Sequence, residues 1–235
     1  MIDWPEREHY TAEDLVELIR ILRDPENGCP WDKVQTHQSI RKNFLEETCE
    51  ALEAIDADDA TMLREELGDV LMQVVFHVVI EEERGRLDFE QVCREVCEKL
   101  VFRHPHIFAS SAEQNAGINS WDALKNKEKG RRTLEDELDT VPLTLPALMR
   151  AQKLQKRAAG RGLCAEDAAA EAALQQAEAG WEQRTPETAQ QAAGELLFAA
   201  ADSIRRAGVD AEEALSFASK RFRNQLLAEE TARKE

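Results

Sequence analysis

Residues 37–55, HQSIRKNFLEETCEALEAI, and residues 60–83, ATMLREELGDVLMQVVFHVVIEEE, decide how this chain folds. In the first stretch Ile40, Phe44, Ala51, Leu52 and Ile55 supply one apolar side. In the second, Leu63, Leu67, Val70, Leu71, Val74 and Val75 do the same. A recurrence near 3.6 residues marks amphipathic helices, expected here to turn these residues inward. The link between them, Asp56 to Asp59, is short and polar. So short a link makes the two helices antiparallel neighbours.

The same reading extends outward in both directions. Thr11, with Asp14 three residues on, opens a first helix carrying Leu15, Leu18, Ile19 and Leu22 on one side. The stretch Asp24-Pro25-Glu26-Asn27-Gly28-Cys29-Pro30 cannot continue it and forms a loop. Gly85 ends the third helix, and Asp88 with Gln91 opens a fourth that reaches Arg103 before Pro105 stops it. Four consecutive amphipathic helices with short links predict a bundle. Residues 109–145 are polar, with one helical piece around Trp121. Pro142 and Pro146 mark the expected boundary between a first domain, 1–140, and a second, 141–235. The second half again reads as helices, over 148–159, 166–181, 188–207 and 210–230. Gly194-Glu195-Leu196-Leu197 resembles Gly68-Asp69-Val70-Leu71, and Lys220-Arg221-Phe222-Arg223 resembles the Lys99–Arg103 stretch. These echoes suggest a duplication. The expected class is all-α, with two tandem helical-bundle domains.

Composition narrows the function. Net charge is −17. So acidic a chain is poorly suited to wrap nucleic acid or to lie on an anionic membrane, so neither is expected as a partner. It can still take a phosphate-bearing ligand when a metal ion intervenes. The five cysteines form no CxxC pair, and the N-terminus shows no basic-then-apolar leader, so a cytoplasmic location is expected. Cys93 and Cys97, one turn apart, read as small buried apolar residues.

The chemistry sits in Leu45-Glu46-Glu47-Thr48-Cys49-Glu50 and Arg64-Glu65-Glu66-Leu67-Gly68-Asp69. Glu47 and Glu50 share a helix face, as do Glu66 and Asp69 on the next helix. Antiparallel neighbours let the two pairs converge. Any one of these carboxylates alone reads as part of a solvated face. Four together repel, and a hard divalent cation resolves the conflict. An oxygen-only ligand set favours Mg²⁺ or Mn²⁺ over Zn²⁺. Lys99 and Arg103, four apart near a helix end, face one way and suit either the helix dipole or a phosphate. Trp121 and Lys125 repeat that spacing and suit a flat ring beside a charge.

Beyond these spacings, Gly28-Cys29-Pro30-Trp31-Asp32-Lys33, Gln35-Thr36-His37, Leu45-Glu46-Glu47-Thr48, Glu66-Leu67-Gly68-Asp69 and Arg103-His104-Pro105-His106 resemble the MazG family of nucleoside triphosphate pyrophosphohydrolases. Leu145 to Lys153 resembles the start of that family's second domain. The resemblance implies an all-α, usually dimeric enzyme that splits NTPs and dNTPs into monophosphate and pyrophosphate with Mg²⁺ (or Mn²⁺). It implies Glu47, Glu50, Glu66 and Asp69 as metal ligands. It implies Lys99 and Arg103 at the phosphates, and Trp121 with Lys125 at the base or ribose. Glu46 and Glu65 precede ligands and would hold water or a lysine, Glu46 as a candidate base. Asn43 stands where the family can place a lysine.

The second half departs from the pattern. Glu171 is followed by Ala172 and Ala173, and Ala192-Ala193-Gly194-Glu195 keeps one acid of two. A catalytic first domain and a degenerate, structural or dimerising second domain are therefore expected, in a homodimer that clears the nucleotide pool. Two other readings stay open. One is a non-catalytic acidic helical protein that recruits a basic partner. The other is a metal-dependent phosphohydrolase with a different phosphate substrate.

Overall fold

The computed structural model describes Trp4 and residues 7–108, 130, 133–163 and 167–234. Among them every regular element is helical, as expected. The chain divides into two compact units, Met1–Ile118 and Asn119–Glu235.

In the first unit, α1 spans Ala12–Arg23, α2 His37–Asp56, α3 Ala60–Glu82, α4 Phe89–Arg103 and α5 Pro105–Phe108. Side-chain caps fix the starts of the first four. Thr11 and Asp14 form a capping box, as do Thr36 with Ser39 and Asp88 with Gln91. The Asp59 carboxylate accepts from the Thr61 and Met62 N–H groups. Each cap satisfies helix N–H groups that have no partner of their own. After α3 the chain turns through Gly85, whose φ of +66° suits a residue without Cβ.

The core joins α1, α2 and the C-terminal half of α3. Val16 and Ile19 meet Ile40, Val75, Phe76, Val79 and Ile80. Fully burying one such side chain contributes about 1.5–3 kcal/mol. The loop after α1 is tied to this core from both ends. The Gly28 N–H donates to the Asp24 carbonyl at 2.9 Å and the Cys29 N–H to the Leu22 carbonyl at 2.8 Å. Buried Arg23 donates twice to Glu83, at 2.6 and 2.8 Å, and also to the Asp32 and Gln35 carbonyls. Its guanidinium lies 5.1 Å from the centre of the Phe76 ring.

Several expected inward faces are open. Leu52 and Ile55 on α2, Leu67 and Leu71 on α3, and Val96, Leu100, Val101 and Phe102 on α4 are all exposed in the single chain. Cys93 and Cys97 are exposed too, correcting the expectation that they are buried. α4 makes only limited contact with α3 and the short α5, and its apolar residues stay open. The expectation that Leu67 and Leu71 turn inward is not met, and Leu52 and Ile55 on the apolar side of α2 are open as well.

In the second unit, α6 spans Leu134–Leu138, α7 Ala147–Gly160, α8 Asp167–Glu182, α9 Ala189–Arg206 and α10 Ala211–Ala232. α8 and α9 pair closely, and α7 packs on α6, α9 and α10. Two buried glutamines stitch α7 to α9. Gln155 Nε2 donates to the Phe198 carbonyl at 2.8 Å, and Gln152 Nε2 to the Ala201 carbonyl at 3.2 Å.

Candidate metal centre

α2 and α3 form the closest helix pair of the first unit. Their antiparallel run is set by the Asp59 cap and by the short link through Asp58, which takes φ +52°. This hairpin brings Glu47 on α2 together with Glu66 and Asp69 on α3. One carboxylate oxygen from each lies within 4.8 Å of the other two. All three side chains are half-buried. Among the described residues no other set of three acidic, histidine or cysteine groups converges in this way.

The electrostatics show the strain of that convergence. The Glu47 carboxyl is held above its ordinary range, first by partial burial and then by Asp69, Glu50 and Glu66. The Glu66 carboxyl is raised as well, again first by burial, then by Glu50, Glu65 and Asp69. Burial and like charge both disfavour the ionised form. Glu50 is exposed and outside the converging trio, yet its charge acts on both Glu47 and Glu66. It stands at the rim of the cluster.

The donor set fits a hard divalent cation. Oxygen ligands on opposite sides of an ion with bonds of about 2.1 Å stand about 4.2 Å apart. The spacing of the trio is of that order, and an exposed face remains for water or phosphate oxygens. Oxygen ligands alone give no preference for zinc.

The other expected site residues lie as follows. Glu46 is exposed, with its carboxylate 3.6 Å from Lys42 on the same helix. Asn43, one turn before Glu47, is half-buried, and Glu65 is exposed beside Glu66. On α4, Lys99 is half-buried and Arg103 is buried. Trp121 and Lys125 fall outside the described residues.

One residue escaped the sequence reading. Gln73, one turn beyond Asp69, is buried, and its Oε1 has no hydrogen-bond partner among the described residues. The available signal was an amide interrupting the apolar run from Val70 to Ile80. A buried polar atom without a partner is uncommon and marks a place of interest.

The corresponding helix pair of the second unit carries no such cluster. Ala170, Ala173, Gln176 and Ala177 of α8 and Glu195 of α9 line one largely apolar cavity of about 690 Å³. Glu195 and Asp202 both line it, but Asp202 is paired with Arg205 and Arg206, and among the described residues no three acidic groups converge there.

Fold and site together define a helical protein with a carboxylate cluster on an antiparallel helix pair. Residues 35–108, which contain the whole cluster, match the model of the MazG nucleotide pyrophosphohydrolase domain. The chain is 40% identical over 220 residues to the nucleoside triphosphate pyrophosphohydrolase of Escherichia coli K12, covering 88% of this chain and 82% of that one. It is 38% identical over 212 residues to the nucleoside triphosphate pyrophosphohydrolase/pyrophosphatase MazG of Thermotoga maritima, covering 89% and 82%. A nucleoside triphosphate pyrophosphohydrolase of Mycobacterium tuberculosis is 37% identical over 155 residues, covering 65% and 47%. The chain belongs to the MazG family.

Proposed function

We propose that this chain hydrolyses nucleoside triphosphates to the monophosphate and pyrophosphate, using Mg²⁺ held by Glu47, Glu66 and Asp69. The carrying observation is the convergence of those three carboxylates, with Glu50 at their rim. Names and lengths of the relatives support the reaction class.

Glu47, Glu66 and Asp69 would hold the cation, which when bound would supply charge neutralisation at the phosphates and acidification of water. The protein's own contribution is positional. α2 and α3 hold the three oxygens on one face, so the cation is placed before substrate arrives. Lys99 and Arg103 on α4 supply positive charge for the departing pyrophosphate, where charge builds up in the transition state. Glu46 orients or deprotonates the attacking water. Asn43 and Glu65 border the phosphates, and Trp121 with Lys125 serve the base or ribose. Burial and neighbouring like charge raise the Glu47 and Glu66 carboxyls, and a cation held between them would favour their ionised forms.

The second unit, whose cavity holds Glu195 and an arginine-paired Asp202 in place of a converging trio, serves structure or dimerisation. The open apolar sides of α2, α3 and α4 support a homodimer, because a second copy would cover them. No helix among the described residues is long and apolar enough to cross a membrane. With the acidic charge, this supports a cytoplasmic enzyme with neither nucleic acid nor membrane as partner.

The test is a panel of the eight common NTPs and dNTPs with Mg²⁺, scoring monophosphate and pyrophosphate. Wild type is expected to release both. Glu47→Gln and Asp69→Asn are expected to lose at least about a hundredfold in kcat, equivalent to about 3 kcal/mol of lost stabilisation. Their helical signal should persist. Wild-type rates in both variants would remove these residues from the site. Failure of the wild type to cleave any nucleotide would favour a binding role for the acidic surface.

A further inference from the structure

The second unit holds a feature opposite in character to the rest of the chain. α7 carries Arg150, Lys153, Lys156 and Arg157 and no acidic residue between Ala147 and Gly160, within a protein of net charge −17. Lys153, Lys156 and Arg157 follow the i, i+3, i+4 spacing that puts side chains on one helix face. All three line a cleft of about 710 Å³, and Arg205 of α9 joins them there. This volume lies within the range of small-molecule sites.

The cleft is built on a fixed frame. Buried Gln152 projects from α7 into the turn between α9 and α10. Its Nε2 donates to the Val209 carbonyl at 3.1 Å, and its Oε1 accepts from the Ala211 N–H at 3.1 Å. The turn passes through Gly208 at φ +77°, which a side chain would strain. The acids nearby are already committed. Asp202 accepts from Arg205 at 2.6 Å, and Asp210, the acidic residue lining the cleft, caps α10 by accepting from the Glu213 N–H at 3.0 Å. Lys156 and Arg157 each have a further interaction in the chain, and Lys153 and Lys156 are exposed. Like charges on one helix face repel, and an anion relieves that repulsion.

We propose that this cleft binds a small oligophosphate anion, pyrophosphate or the triphosphate of a nucleotide, directly through Lys153, Lys156 and Arg157. Its chemistry is the reverse of the carboxylate cluster. There a phosphate needs an intervening cation, whereas here side-chain cations meet it without one. The site therefore does not depend on the reaction assigned to the first unit.

Calorimetric titration of the full chain with pyrophosphate in EDTA tests it. One pyrophosphate per chain is expected to bind, more weakly as salt rises. Exposed Lys153 and Lys156 can be replaced without opening the core. The double change Lys153→Ala with Lys156→Ala should weaken binding at least tenfold, and Lys153→Arg with Lys156→Arg should retain it. Glu47→Gln should leave the affinity unchanged. Nucleoside triphosphate and monophosphate arms identify the source. Tighter triphosphate binding assigns the site to the nucleotide, and tighter pyrophosphate binding to the free anion. The proposal is overturned by absence of metal-free binding, by equal affinity in the alanine double variant, or by loss of binding in Glu47→Gln. It is also overturned if monophosphate binds as well as pyrophosphate, or if only an oligonucleotide binds.

Discussion

At the scale of single residues, the first unit sets two kinds of carboxylate on the same helix, α3. Glu66 and Asp69 lie among like charges, whereas Glu81 lies among donors. The Glu81 carboxylate meets His37 Nε2 at 2.5 Å, Arg84 at 2.9 Å and Arg86 at 2.6 Å. It is lowered from 4.5 to about 2, first by His37 and then by Arg86 and Arg84. A carboxyl depressed in the folded state stabilises fully above its unfolded value and loses that contribution as pH falls towards the folded one. Glu81→Gln should therefore lower the midpoint of thermal unfolding at pH 7. The gap to wild type should narrow between about pH 5 and pH 2. A gap that is constant across that window would remove Glu81 from the acid limb. The His37 and His77 rings stack 5.0 Å apart beside this group, and burial holds the His77 imidazole below its usual range, with His37 adding to it.

At the scale of elements, the most recognisable motif turned out to have architectural work. Gly28 and Cys29 fold back onto the end of α1, and Arg23 ties Asp32 and Gln35 to α3 through Glu83. A Cβ on Gly28 would stand 2.4 Å from the Asp24 carbonyl oxygen and 2.5 Å from that of Leu22. Both are backbone atoms and cannot swing aside. Gly28→Ala should destabilise the first unit by about 2 kcal/mol or more, measured by urea unfolding. An unchanged urea midpoint would mean the loop has no such constraint. The starts of α1 and α4 were legible because Thr11 and Asp88 announce themselves with a partner three residues on. The pairing of Glu47 with Glu66 and Asp69 was legible because a short link leaves α2 and α3 little choice. The rim position of Glu50 was not, since i, i+3 spacing gives a shared face but not a rotation towards the neighbour. Gln73 was also missed, because a lone amide in an apolar run carries no spacing signal.

At the scale of the whole molecule, the apolar period of α2, α3 and α4 says that a side is covered, and it is silent on what covers it. Leu52 and Ile55 are each 56% exposed in the single chain, although their spacing marks them as inward. The proposed homodimer would resolve the conflict. Light scattering should give twice the chain mass, and Leu52→Glu with Ile55→Glu should give a monomer that keeps its helical signal. A monomeric wild type would contradict this. The second unit shows the same backbone plan with different consequences. With alanines at 172, 173, 192 and 193, its helix pair α8 and α9 still packs closely without a converging acidic trio among the described residues.

Repulsion among Glu47, Glu66 and Asp69, relieved by a hard cation, is the physical basis of the proposed site. Two carboxyls raised in the folded state cost stability at neutral pH, and that cost disappears when the ion binds or a charge is removed. The decisive measurement is the thermal midpoint of wild type and Glu47→Gln, each in EDTA and in millimolar Mg²⁺. Wild type should gain several degrees with Mg²⁺. Glu47→Gln should start higher than wild type in EDTA and gain little. Equal gains in both proteins, or no gain in wild type, would contradict the claim.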